Sequence, residues 1–174
     1  GGHVFPARAL SEELIDRGYH VVLMTDNKGE GYEALFPGVE ILSVPSGTPS
    51  ASSIGGKIKA VLSILRGTIK AYALLGRLKP VSVVGFGGYP SLPSVLAAIV
   101  RRIPVLLHEQ NAILGRVNRL LSRFAMIVAT SFARTDGIAQ DKKQHLVGNP
   151  VRSEILALSG VGYASPDKSR NIEI

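Results

Sequence analysis

The chain of 174 residues contains no cysteine and no tryptophan. Without thiols there is neither a disulfide framework nor thiolate chemistry, and the composition fits a reducing compartment. Long apolar runs are absent too: none approaches the roughly 20 residues needed to span a bilayer, and no signal peptide is visible. Two nucleotide signatures are missing. No GxGxxG is followed by an acidic residue about 20 positions on, and no Walker A loop occurs, which disfavours a nicotinamide oxidoreductase or epimerase and a P-loop enzyme. Negative charge is the most telling scarcity. From Ile41 through His108 there is no Asp or Glu, against eight basic residues: Lys57, Lys59, Arg66, Lys70, Arg77, Lys79, Arg101 and Arg102. A stretch of one sign points to an anionic partner such as phosphate, nucleic acid or an acidic membrane surface, unless it is only a solvated helix face.

The residues that are present describe a globular α/β chain. With 45% hydrophobic and 19% charged residues, the composition is that of one ordinary domain with a sizeable core. Helical spacing covers Pro6–Arg17 and a long segment from about Lys57 to Leu78, closed by Pro80. Further helices are predicted at Ser91–Arg101, around Leu114–Arg123 and at Ser153–Ser159. Short apolar runs predict strands at 21–24, 39–44, 81–84, 103–107, 126–129 and 145–147. Strands that alternate with helices and are apolar throughout predict a parallel sheet covered on both faces. No internal repeat is visible. A Ser/Pro/Gly/Thr loop spans 46–53, and a polar linker, 160–170, precedes what reads as the start of another strand at 171–174.

Chemistry concentrates where the predicted strands end. His108-Glu109-Gln110-Asn111 follows the apolar run Ile103–Leu107, in the position where open α/β sheets bind ligands, outside the carboxyl ends of their strands. Imidazole, carboxylate and carboxamide together can fix a polyhydroxylated ligand and move a proton. Two glycine sites obey the same logic. Gly1-Gly2-His3 precedes the first helix, whose free N–H groups favour a phosphate. Gly85, Gly87 and Gly88 follow another strand and let backbone approach a ligand closely. Each site alone is weak, since such turns occur in many folds without a ligand.

Taken together, GGHVFPA at the start, GFGGYPS at 85–91, HEQNAILGRVN at 108–118 and VGNPVR at 147–152 resemble the MurG family in order and spacing. That family comprises the peptidoglycan N-acetylglucosaminyltransferases. The resemblance covers Gly1 to about Arg152 and implies the N-terminal, Rossmann-like half of a GT-B glycosyltransferase. The implied reaction is inverting transfer of GlcNAc from UDP-GlcNAc to undecaprenyl-pyrophosphoryl-MurNAc-pentapeptide (lipid I), giving lipid II. It implies no metal, no cofactor and no nucleic acid, and a peripheral location on the cytoplasmic face of the bacterial plasma membrane. Residues 1–152 would form the acceptor-side domain, and 153–174 the linker and the start of a donor domain. The family's chain also begins with a central strand before Gly1. The first residue here is not Met, so both ends are expected to be cut and the chain alone to be inactive.

By the same resemblance, Gly1 and Gly2 belong to a glycine loop at the cleft and His3 is the candidate general base. Gly87, Gly88 and Tyr89 match a loop associated with the acceptor diphosphate. His108 and Glu109 line the cleft, with Glu109 a candidate catalytic residue in an orienting role; Asn111 contacts the donor sugar, and Arg152 matches a donor-binding arginine. Plainer roles stay open for several of them. His3 could cap a helix; Glu109 could orient His108 or a backbone turn; Asn111 could cap the following helix. Tyr89 could pack on the sheet edge, and Arg152 could form a surface ion pair. In the long helix, Ile58, Val61, Leu62, Leu65 and Ile69 share a face, with Lys57, Lys59, Arg66 and Lys70 around it. That pattern reads as a membrane-surface helix, or as an apolar stripe packed onto the sheet. A non-catalytic membrane-surface module is the alternative function.

Overall fold

The structure is a computed structural model that describes residues 2–26, 31–48, 53–138, 144–157 and 160. Gly1, residues 49–52 of the predicted loop, 158–159 of the predicted last helix, and the segments 161–170 and 171–174 lie outside the described residues. The elements run α1 (Val4–Asp16), β1 (Val22–Thr25), β2 (Glu40–Ser43), α2 (Ile54–Leu78), β3 (Val83–Gly85), α3 (Leu92–Val100), β4 (Val105–Glu109), α4 (Arg116–Leu121), β5 (Ile127–Thr130), β6 (Gln144–Leu146) and α5 (Ser153–Ala157). Short 3₁₀ turns at Glu33–Leu35, Tyr89–Ser91 and Ser122–Phe124 were not anticipated.

All strand pairs are parallel, as the alternation of elements required. They form two sheets, however: β1 with β2, and the ordered series β3-β4-β5-β6. The parallel α/β arrangement read from the sequence is thus present as two parallel pieces among the described residues. Apolar runs specify that a strand is buried, not which neighbour supplies its hydrogen bonds. β4 is flanked on both sides, with Val83 opposite Val105 and Leu106 opposite Ile127. It also runs further than expected. His108 pairs with Ala129 and Glu109 with Thr130, so both belong to the strand itself and not to the turn after it.

The core lies where α3 and α4 cover this sheet: Val95, Ala97, Ala98, Val105, Leu107, Leu121 and Val128 are at most 3% exposed. Helix α2 joins through small residues. Ser53 caps its start by accepting from the Gly56 N–H at 3.1 Å. At its end Lys79 adopts a left-handed conformation (φ 47°) ahead of Pro80. Ala60, Gly67, Ala71 and Leu75 form its buried face. A Cβ on Gly67 would overlap the Pro45 carbonyl oxygen and lie 3.1 Å from the Pro93 Cβ. Helix propensity alone would make alanine there stabilising by about 0.8–1 kcal/mol. The overlap decides otherwise, because backbone must move: Gly67→Ala is expected to destabilise by about 1–3 kcal/mol in chemical denaturation. Gly55, in the same helix with open space around it, should tolerate alanine or gain slightly.

Candidate active site at the carboxyl edge of the sheet

The loops after β3, β4 and β6 and the start of α1 converge on one edge. After β3 the chain turns through Gly87 (φ 85°) and Gly88 (φ 73°), conformations that residues with a Cβ rarely adopt. Space is equally restrictive. A Cβ on Gly87 would lie 3.1 Å from the Asn118 Nδ2 and 3.4 Å from the His3 Cε1; one on Gly88 would lie 3.6 Å from the His3 Cδ2. The imidazole of His3 therefore rests against bare backbone of the glycine turn.

His3 occupies the N-cap position of α1, yet its side chain makes no capping bond. Its Nδ1 instead lies 2.9 Å from the Gln110 Oε1. The amide nitrogen of Gln110 is 3.0 Å from the His108 Nδ1, and the His108 Nε2 is 3.1 Å from the Gly148 carbonyl oxygen. Phe86 packs obliquely on the His108 ring, 5.6 Å between centroids. Desolvation by burial pushes the His108 pKa below its ordinary value, against smaller opposing effects of the Gly148 hydrogen bond and the nearby Glu109 charge.

Glu109 points to the other face of β4, as alternation along a strand requires. It is 1% exposed. Its Oε1 accepts from the Asn111 backbone N–H at 3.1 Å and the Asn111 Nδ2 at 2.9 Å. Its Oε2 accepts from the Gly115 N–H at 2.9 Å and the Asn118 Nδ2 at 3.0 Å. Burial alone would raise its pKa, but these donations from Gly115, Asn118 and Asn111 together hold it below the ordinary carboxylate value. The carboxylate is thus ionised and saturated with donors, and it shapes the 110–115 loop and the approach to α4.

The chain as a whole has counterparts in known proteins. The glycosyltransferase family 28 N-terminal domain matches residues 1–130. The chain belongs to that family. It is 46% identical over 177 residues to a protein of Methylobacterium sp. (strain 4-46), covering 99% of this chain and 47% of the relative. It is 45% identical over 169 residues to one of Caulobacter vibrioides (strain NA1000 / CB15N), covering 96% and 47%. Both are UDP-N-acetylglucosamine--N-acetylmuramyl-(pentapeptide) pyrophosphoryl-undecaprenol N-acetylglucosamine transferases. The crystal structure of Acinetobacter baumannii MurG matches with a TM-score of 0.69 and 34% identity, over 83% of this chain and 41% of that one. The chain spans about half the length of the curated relatives it matches. The resemblance to MurG drawn from four motifs is therefore shown, as is the α/β fold with parallel strands.

Within this family 28 domain the remaining predicted residues are dispersed around the same edge. Asn111 is exposed and tied to Glu109; it does not cap α4, whose N-cap is Gly115. Tyr89 lies in the 3₁₀ turn after the glycines and packs against the core. The Arg152 guanidinium sits over the Phe5 ring in the first turn of α1, 4.6 Å from its centroid. Gly2 is exposed. On α2 the apolar stripe faces outward: Ile58, Leu62 and Leu65 are 54–56% exposed, and Lys57, Lys59, Arg66 and Lys70 are exposed beside them. The stripe is therefore not packed onto the sheet; the small-residue face of α2 is the buried one, and it packs against α3.

Two residues of the site were given no role of their own by the sequence. Gln110 joins His3 to His108, and Asn118, 1% exposed, donates to both the His108 carbonyl and Glu109 at 3.0 Å. Asn118 carried a readable signal, being a polar residue on the helix face of Leu114, Val117 and Leu121. Gln110 stood within the 108–111 tetrad, but nothing local in it pointed to His3.

Proposed function

We propose that this domain is the acceptor-side half of an inverting GlcNAc transferase that converts lipid I to lipid II with UDP-GlcNAc as donor. The observation that carries the reading is the His3 imidazole, held at the start of α1 against the glycine turn 87–88 and tied to Gln110. In this reading His3 takes the proton of the MurNAc 4-hydroxyl. The freed oxygen attacks the anomeric carbon of GlcNAc as the bond to the UDP oxygen breaks, inverting the configuration. Gly87, Gly88, Tyr89 and His108 line the acceptor side. Gly2, Asn111 and Arg152 face the donor. Backbone N–H groups of the glycine turns and the positive end of α1 stabilise diphosphate charge. The test is transfer by the complete enzyme to lipid I in vesicles with a chelator present. Lipid II should form at an undiminished rate; transfer that stops on chelation, or that ignores lipid I in favour of another acceptor, contradicts the reading.

The same proposal places α2 on the cytoplasmic face of the plasma membrane, where the lipid acceptor resides. Its support is the exposed apolar stripe with basic flanks, in a chain where, among the described residues, no helix is long and apolar enough to cross a membrane. Basic residues near anionic lipid contribute on the order of 1 kcal/mol each, screened by salt. Replacing Lys57, Lys59, Arg66 and Lys70 by Gln should weaken binding to anionic vesicles and spare binding to neutral ones. Equal binding before and after would remove α2 from the membrane surface.

A further inference from the structure

The proton positions along the chain His3–Gln110–His108–Gly148 follow from donor and acceptor chemistry. The Gly148 carbonyl can only accept, so the His108 Nε2 at 3.1 Å carries a hydrogen and donates to it. Burial favours the neutral ring, leaving a lone pair on the His108 Nδ1. That lone pair accepts from the Gln110 amide nitrogen at 3.0 Å. The Gln110 amide then has one permitted orientation, with its oxygen toward His3. A carbonyl oxygen there accepts from a hydrogen on the His3 Nδ1 at 2.9 Å. A neutral His3 consequently keeps its lone pair on Nε2, the atom 3.9 Å from where a Cβ of Gly88 would stand. The reverse orientation of the amide would need hydrogens on both nitrogens of the His108 ring, a buried cation.

We propose that Gln110, oriented by His108 and the Gly148 carbonyl, is a positioning residue that fixes the tautomer of His3 and leaves its Nε2 free to accept a proton. The proton-accepting half of this statement rests on the transferase reading above; the tautomer half does not. An unconstrained imidazole samples both tautomers, and the Nδ1 lone pair of the wrong one would be aimed away from the glycine turn. Gln110→Met keeps the length of the side chain and removes both hydrogen bonds. Gln110→Glu keeps an acceptor for the His3 Nδ1–H.

The two variants separate positioning from packing in the complete enzyme with ¹⁵N-labelled histidine. Long-range ¹H–¹⁵N spectra should show wild-type His3 protonated at Nδ1 and bare at Nε2. Gln110→Met should lose that pattern and lower kcat by roughly tenfold or more, with the KM for UDP-GlcNAc nearly unchanged, since an orienting partner acts on the chemical step of a catalytic imidazole. Gln110→Glu should keep the His3 tautomer and recover only part of kcat, because a carboxylate cannot donate to the His108 Nδ1. A wild-type His3 protonated at Nε2, or a Gln110→Met enzyme with an unaltered His3 spectrum, overturns the tautomer assignment. An altered spectrum with unaltered kcat supports tautomer control and overturns His3 as the base.

Discussion

Replacing His3 by alanine in the complete enzyme should lower kcat by about 10²–10⁴-fold, the usual contribution of a general base, with the KM for UDP-GlcNAc changed little. The split between the constants carries the argument. Residues that hold the donor act on binding, whereas a base acts on the chemical step. A capping histidine would behave differently: its loss would cost about 0.5–2 kcal/mol of stability and spare turnover. The structure already weighs against the cap, because the side chain of His3 makes no bond to the first turn of α1 and reaches Gln110 instead. An alanine enzyme with wild-type kcat would place the base elsewhere.

The second large effect is expected at Glu109, and it falls on stability. Glu109→Ala strands the donors of Asn118 and Gly115 beneath the loop, while the exposed Asn111 can turn to water. Two such donors at about 1–3 kcal/mol each give a loss of about 2–6 kcal/mol by denaturant titration. Glu109→Gln should cost less, because one oxygen remains to accept. The pH dependence has a definite sign. The folded-state pKa lies below the ordinary value of 4.5, so the carboxylate contributes its full stabilisation above that value. The contribution fades as pH falls from there through the folded pKa. Stability of the Gln variant should therefore fall less steeply with acid than that of the wild type. Parallel acid limbs for the two proteins would show that Glu109 is not held ionised by its donors.

How far the sequence reached can be seen in particular elements. The apolar run 103–107 announced β4, and the strand-end rule located the site beside it. The strand continues through His108 and Glu109 because each polar side chain finds partners off the strand: Gly148 and Gln110 on one face, Gly115 and Asn118 on the other. A local pattern cannot show partners that lie up to 40 residues away. Helix α2 was equally legible as a helix and ambiguous in its orientation. It carries a stripe of large apolar residues and a stripe of small ones, and periodicity does not say which turns inward. Close approach to Pro45 and Pro93 selects the small stripe. The role of Gln110 was invisible because it rests on a contact with His3, 107 positions away. The loop that carries Gln110 is itself held by Glu109 through Asn111 and Gly115.

The central claim is that the acceptor hydroxyl meets His3 at the glycine turn. A structure of the complete enzyme with a lipid I analogue bound tests it most directly. The expected result is a MurNAc 4-oxygen about 2.6–3.2 Å from the His3 Nε2, with the acceptor diphosphate against Gly87 and Gly88. An acceptor bound with that hydroxyl out of reach of His3, or seated away from the carboxyl edge of β3 and β4, would contradict it.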